Sequence, residues 1–289
     1  MSETHDYIIV GGGPGGCPVA NRLSADRRTS VCLIEAGGDN QSATVRIPLL
    51  LIANVPKKNA FNWAFDTVPQ PGLNGRVGYQ PRGKGLGGSS AINALVYMRG
   101  HPGDYDEWEA MGCPGWGYRD VLPLFKKSEH NETLRDEFHG QGGELNVAPL
   151  RTDNRYHRIL TDMLRDAGLR ETDPNGAEQE GYGVAQVMQK NGERCSAAKA
   201  YLTPNLGRPN LQVRTGARPV GIAELPRPLP HQGLHHVAAQ LHRTDRRPQR
   251  VADIQHLLHR HHAAGLGERG QMATAVAHFQ RTGAGAPAQ

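Results

Sequence analysis

The chain has 289 residues, enough for one large domain or two modest ones, and its 36 Gly and 20 Pro fall in discrete clusters between apolar runs. No apolar run approaches bilayer length, and the first six residues lack a basic, apolar leader, so neither a transmembrane segment nor a secretory signal is expected. The net charge of +5 resides in residues 218–289, which hold nine Arg, no Lys and four acids; the first 217 residues are balanced, which excludes a basic stripe for nucleic acid there.

Cys17, Cys32, Cys113 and Cys195 are scattered, without a CxxC pair. That spacing suits a reducing compartment and gives neither a disulfide framework nor a zinc site. The cytoplasm is the expected location, with peripheral attachment at the inner membrane left open.

In chain order, Asp6 to Val10 is short, apolar and β-branched, and reads as a buried strand. Residues 11–16, GGGPGG, follow it. Cys17 to Ser24 has small and apolar residues at helical spacing, and Ser30 to Ile34 reads as a second buried strand. Together these make a βαβ unit, so the fold class is α/β with a Rossmann-like dinucleotide-binding domain. Further on, helices are expected at Tyr105 to Ala110, Tyr118 to Lys127, Arg158 to Ala167 (with Gly168 as C-cap) and Ser196 to Leu202. Strands are expected at Glu144 to Val147, Gly183 to Met188 and Leu211 to Arg214.

Gly11, Gly13 and Gly16 form G-x-G-x-x-G directly after a strand and at the start of a helix. The first glycine permits the tight turn, the second lets backbone approach a pyrophosphate, and the third lets helix and strand pack closely. Backbone N–H groups at the helix start then face the phosphates. Glu35 ends the second strand 19 residues beyond Gly16, the place of the acid that accepts from ribose hydroxyls and repels a 2′-phosphate. This loop does not separate FAD from NAD.

A second glycine cluster spans residues 83–106, GKGLGGSSAINALVYMRGHPGDYD. Its glycines allow close approach to a flat cofactor, with Ser89 and Asn93 as hydrogen-bonding groups. The alternative is a glycine-rich turn that caps a helix at Ser89 or Ser90.

This segment, together with DYIIVGGGPGG, EAG at residues 35–37 and GERCSAAKAYLTP at residues 192–204, resembles the glucose–methanol–choline oxidoreductase family. NWAF at residues 62–65, NGR at residues 74–76 and RPNLQV at residues 208–213 resemble its bacterial choline and aliphatic alcohol dehydrogenase branch. The resemblance covers about residues 5–217 and implies a Rossmann-like FAD-binding domain with part of an α+β substrate domain. It implies an FAD diphosphate over Pro14 and Gly15, with Gly11, Gly13 and Gly16 shaping the loop, and the adenosine ribose on Glu35. Ser89, Asn93, Ala94 and Val96 would lie against diphosphate, ribityl or flavin. Ile92 stands where some members carry a flavin-linking histidine, which implies non-covalent FAD.

The family oxidises a small-molecule alcohol by hydride transfer to flavin, with a histidine holding the hydroxyl proton. Electrons pass to a quinone or another acceptor. That histidine belongs to the family's C-terminal half, and a second motif resembling GAxxSPxLLxxSGIG is expected to follow the strand near Leu211. Neither is found here, and no catalytic residue is assigned. The chain is therefore read as an N-terminal portion that lacks the catalytic end, with the FAD-binding region at 1–217 and a non-family tail at 218–289. His5, His101, His130, His139 and His157 are expected to be surface or loop residues.

The tail is rich in Arg, His and Pro, has no Tyr or Trp, and loses helical and strand periodicity, so an irregular structure and an out-of-frame origin are expected. Two other readings compete. An NAD-linked Rossmann enzyme shares the first loop but leaves residues 83–106 unexplained. A catalytically inert FAD-binding fragment, or a metal-binding one using His256, His259, His261 and His262, is the alternative from another class.

Overall fold

The computed structural model describes residues 3–224, 237–239 and 275–281. Tyr7–Val10, Val31–Ile34 and Leu211–Arg214 form a parallel three-stranded sheet with Val31–Ile34 in the middle. Every residue of that middle strand is buried, as a run of Val, Cys, Leu and Ile covered on both faces must be. On one face Val31 and Leu33 meet Cys17 and Ala20 of the helix Gly16–Leu23, together with Leu86, Ala198, Tyr201 and Leu202. On the other face Cys32 and Ile34 meet Ile8 and Ala217. Asp6 fixes the strand starts in register: its carboxylate accepts from both the N–H and the hydroxyl of Ser30, at 2.7 Å each.

Tyr7–Val10 corrects the expectation of a buried strand. Among the described residues it is an outer strand of the sheet, and Tyr7 and Val10 are 47% and 50% exposed. A short apolar run signals a strand but not its rank in the sheet.

A second, mixed sheet has the order Val96–Tyr97, Gln186–Val187, Leu145–Pro149, Glu129–Asn131. The strand expected at Gly183 to Met188 is shorter, Gln186–Val187; just before that run Tyr182 bonds to another loop, with Thr172 N–H donating to Tyr182 O at 2.8 Å and Tyr182 N–H to Arg170 O at 3.0 Å. Helices Pro102–Ala110, Tyr118–Ser128 and Arg155–Asp166 stand close to their expected places. The last begins earlier than its periodicity suggests because Asn154 accepts from Tyr156 N–H at 2.9 Å as its N-cap, and Gly168 follows its end at φ +82°. Residues Ala198–Leu202 form a π-helical turn rather than an α-helix.

In the tail, where an irregular structure is expected, Ala217–Glu224, Val237–Ala239 and Ala275–Arg281 are strands, the first and last paired antiparallel. His256, His259, His261 and His262 lie outside the described residues.

Leu33 touches the helix and the second glycine loop's neighbours and is fully buried. Leu33→Ala is expected to cost about 2–5 kcal/mol, read as a lowered urea midpoint at unchanged slope.

Candidate functional site: a groove between two glycine loops

The chain leaves its first strand through Gly11, whose N–H donates to Ile34 O at 2.8 Å and whose φ of +98° disfavours any other residue. At Gly16 the reason for glycine is contact: a Cβ there would sit 1.9 Å from Gly11 O. The helix that begins at Gly16 has Gly15 as N-cap with no side-chain cap and no acid in its first turn. Among the described residues no acceptor meets the N–H of Gly13 or Gly15, and open space lies where a Gly15 Cβ would be. Unfilled donors at the positive end of a helix dipole favour an anion.

Glu35 is 7% exposed and ties three turns together. Its Oε2 accepts from Gly12 N–H at 2.8 Å, and its Oε1 from Gly37 N–H at 2.8 Å and Gly85 N–H at 2.9 Å. A carboxylate has about four acceptor positions, so one remains for a ligand hydroxyl. The two glycine loops also bond directly, Gly87 N–H to Gly12 O at 2.7 Å. Their approach is so close that a Cβ on Gly88 would lie 2.8 Å from Gly13 Cα, and one on Gly37 would lie 2.3 Å from Gly85 N.

Between the loops runs a groove of about 390 Å³. Gly11, Gly13, Pro14, Glu35 and Ser89 line it, with Gly83 and Gly88 on the same side as Ser89. Val10, Ile34, Trp63, Phe65 and Pro219 supply apolar walls, and Arg82 a cation. Trp63 and Phe65 stack at 5.7 Å and 10°, while Lys84 Nζ lies 4.6 Å and Arg218 Cζ 5.7 Å from the Trp63 ring centre. An anion-binding turn, an acid with a free acceptor position and apolar walls are what a dinucleotide needs.

The 3₁₀ turn Gly88–Ala91 has Gly87 as N-cap and no side-chain cap, so neither serine serves the capping role. Ser89 Oγ accepts from Gly83 N–H at 3.1 Å, and Ser90 Oγ donates to Gly87 O at 2.5 Å and accepts from Ala197 N–H at 2.9 Å. Asn93, Ala94 and Val96 lie outside the groove's lining. Ala94 and Val96 are exposed and alternate with the buried Leu95 and Tyr97. Asn93 Oδ1 accepts from Arg194 Nη1 at 2.9 Å. Ile92 is buried with Val45, Ala91 and Phe61.

Three features escaped the sequence reading. Trp63 and Phe65 sat inside the NWAF resemblance without a role. Arg194, inside GERCSAAKA, is 3% exposed and donates to Val45 O at 3.1 Å, Ser90 O at 3.2 Å and Asn93 O at 2.7 Å, with no carboxylate within 4.0 Å among the described residues. Burial pushes its pKa down to about 10, still a cation at neutral pH. His139 corrects the expectation of a surface or loop histidine: it is 3% exposed and sits between Glu129 and Asp173. His101 is instead an exposed N-cap that accepts from Gly103 N–H at 3.0 Å. Among the described residues lining the groove there is no histidine.

Glu35→Ala leaves three buried N–H groups without their acceptor. It is expected to cost at least about 3 kcal/mol by urea unfolding, at roughly 1–3 kcal/mol for each orphaned donor. Gly16→Ala, which drives a methyl into Gly11 O, is expected to cost about 1–3 kcal/mol or more in the same assay.

Comparison with known proteins follows the same residues. A model of the GMC oxidoreductase family matches residues 5–223. The chain is 46% identical over 215 residues to an alcohol dehydrogenase [acceptor] of Pseudomonas putida, an alignment covering 74% of this chain and 39% of that protein. It is 43% identical over 219 residues to an oxygen-dependent choline dehydrogenase of Sinorhizobium fredii, covering 75% and 40%. Among solved structures, pyridoxine 4-oxidase from Mesorbium loti superposes with a TM-score of 0.70 at 34% identity, over 74% of this chain and 43% of that one. The chain thus spans about two fifths of the length of the curated relatives it matches. A family model that fits from before the first strand to beyond Leu211–Arg214, and relatives above 40% identity over that stretch, establish that this chain belongs to the GMC oxidoreductase family.

Proposed function

We propose that residues 5–217 form the FAD-binding portion of an oxidoreductase acting on the CH–OH group of an alcohol, choline or an aliphatic alcohol. The observation that carries this is the groove itself, in which the two glycine loops, Glu35 and Ser89 converge. A solved relative of the same fold, 28% identical, is an FAD-dependent oxidoreductase from Chaetomium thermophilum, and the curated relatives are named for alcohol and choline.

In this reading Gly11, Gly13, Pro14, Gly15 and Gly16 receive the diphosphate through backbone N–H groups and the helix start. Glu35 offers its remaining acceptor position to a ribose hydroxyl. Ser89, Asn93, Ala94 and Val96 border the rest of the cofactor. FAD, when bound, supplies the acceptor for hydride from the alcohol carbon, and a quinone or other acceptor receives the electrons afterwards. Arg194 holds Asn93 in place and keeps a fixed positive charge behind the second loop. No residue of the groove's lining is assigned as the base that takes the hydroxyl proton. A cytoplasmic setting, with or without peripheral membrane attachment, is part of the same proposal; among the described residues no helix is long and apolar enough to cross a membrane.

The absence of histidine from the described lining favours one second reading: a chain that binds FAD without turning over alcohol. The two separate in one experiment. The purified chain is passed over gel filtration with added FAD, and its absorbance spectrum is recorded. Flavin bands near 1:1 on a monodisperse peak are expected, and their absence from such a peak overturns both readings. Turnover of choline or an alkanol by that peak supports the enzyme, and none supports the binding fragment. Because Ile92 is apolar and buried, acid precipitation is expected to release all flavin to the supernatant; flavin retained in the pellet overturns non-covalent binding.

A further inference from the structure

On the buried side of the strand Val96–Tyr97, opposite the exposed Ala94, Val96 and Met98, four charged groups stand in a row. Arg99 Nη2 lies 2.5 Å from Glu129 Oε2, Glu129 Oε1 3.0 Å from His139 Nδ1, and His139 Nε2 2.6 Å from Asp173 Oδ2. The side chains of the first three are almost wholly buried, and that of Asp173 is 26% exposed, so the row runs from the interior to the surface.

His139 Nε2 faces Asp173 Oδ2, and Nδ1 faces Glu129 Oε1 together with Asn131 Nδ2 at 3.2 Å. That amide's two protons have their own oxygen acceptors in Glu129 Oε1 at 2.9 Å and Gln186 Oε1 at 3.3 Å, so each ring nitrogen has a carboxylate oxygen to donate to. Glu129 Oε2 takes Gly140 N–H at 2.9 Å besides Arg99. Asp173 Oδ1 takes Asn175 N–H at 2.9 Å and Gln186 Nε2 at 2.7 Å. Only an imidazolium donates from both nitrogens, and with it the row is neutral: two cations and two anions. The charged groups around the ring are Glu129 on the strand Glu129–Asn131, Asp173 on the loop before Gln186–Val187, Arg99 through Glu129, and Asp136 on the histidine's own loop, whose Oδ1 accepts from His139 N–H at 3.2 Å.

The loop that carries Asp173 also grips the strand Val96–Tyr97 through Asn175. Asn175 Oδ1 accepts from Arg99 N–H at 2.8 Å, and Asn175 Nδ2 donates to Tyr97 O at 3.1 Å. Arg99 Nη1 reaches Phe138 O at 2.7 Å, next to His139.

We propose that His139 is a positioning residue whose doubly protonated ring latches the Asp173–Asn175 loop and Glu129 onto Arg99, fixing the strand Val96–Tyr97 and the exposed wall of Ala94 and Val96 in front of it. That the wall belongs to the cofactor site rests on the function proposed above; the latch does not. Burial alone lowers the His139 pKa, but hydrogen bonds and charge from Glu129 and Asp173 reverse this and hold it above the ordinary histidine value. For Glu129, burial raises the pKa, and hydrogen bonds from His139, Asn131 and Gly140 with the Arg99 charge bring it below the ordinary value. A base whose folded pKa is raised stabilises fully below its unfolded value, about 6.5 for histidine, and loses that contribution as pH rises through the folded value. Each unit of elevation is about a tenfold change in the folded-to-unfolded ratio.

The test uses the full chain between pH 6 and 10. Ring nitrogen NMR of labelled histidine reads the protonation of His139, and hydrogen exchange, corrected for intrinsic rate, reads the amides of Arg99 and Gly140. The expected result is an imidazolium at pH 7 and a fall in protection of about tenfold or more that tracks its loss. Asp173→Asn, at the half-exposed end, is expected to move both midpoints to lower pH together. A ring carrying one proton at pH 7, or a midpoint unmoved by Asp173→Asn, overturns the latch, and the wild-type titration alone decides if the variant does not fold. FAD affinity is measured separately. If it weakens over the same pH range, latch and wall are both supported. If protection follows His139 while affinity stays flat, the latch is supported and the assignment of Ala94 and Val96 to the cofactor wall is overturned.

Discussion

Three turns of this fold meet on one carboxylate. Glu35 gathers the N–H groups of Gly12, Gly37 and Gly85 around two oxygens, and by doing so holds the first glycine loop, the end of the central strand and the second glycine loop at contact distance. The backbones can approach this closely only because they are glycine. An acid at the end of a second strand is usually considered for what it offers a ribose; here its structural work comes first, and any ligand contact uses the acceptor position left over. The groove is therefore a product of the same hydrogen bonds that keep the loops together, and an incoming dinucleotide would find it already shaped.

The βαβ unit, both glycine loops and most helices were legible in the sequence because each rests on local chemistry: a β-branched run, a glycine spacing, a cap. Less legible was whatever depends on partners distant in the chain. Tyr7–Val10 reads as buried because its residues are apolar, and its exposure is set by where it lies in the sheet. Gly183 to Met188 reads as a strand, yet only Gln186–Val187 forms one, and Tyr182 just before the run pairs with residues 170–172. His139 reads as a surface histidine because one residue type carries no sign of burial, and its two carboxylate partners are 10 and 34 residues away. Arg194 was invisible for the same reason: its acceptors are carbonyls of Val45, Ser90 and Asn93, and any residue type has a carbonyl.

The buried cations are satisfied in two different ways. Arg99 and His139 sit in a neutral row of alternating charges, where removing one member strands another. Arg194 has no carboxylate within 4.0 Å among the described residues and is solvated by backbone carbonyls and the side-chain amide oxygen of Asn93. The first arrangement responds to protons; the second keeps its charge across the physiological range and fixes the second glycine loop from behind.

The close packing of the loops also bears on how such a site can diversify. A methyl at Gly16, Gly37, Gly83 or Gly88 would land within 3 Å of backbone atoms, and backbone cannot swing aside as a flexible side chain can. Every missense change at those four positions is then a folding lesion before it is a change of ligand preference. Variation that survives must enter through side chains on the rim, such as Trp63, Phe65 and Arg82. The floor of the groove is mutationally frozen while its walls remain free to drift, so divergence in what the site accepts is channelled to a few peripheral codons.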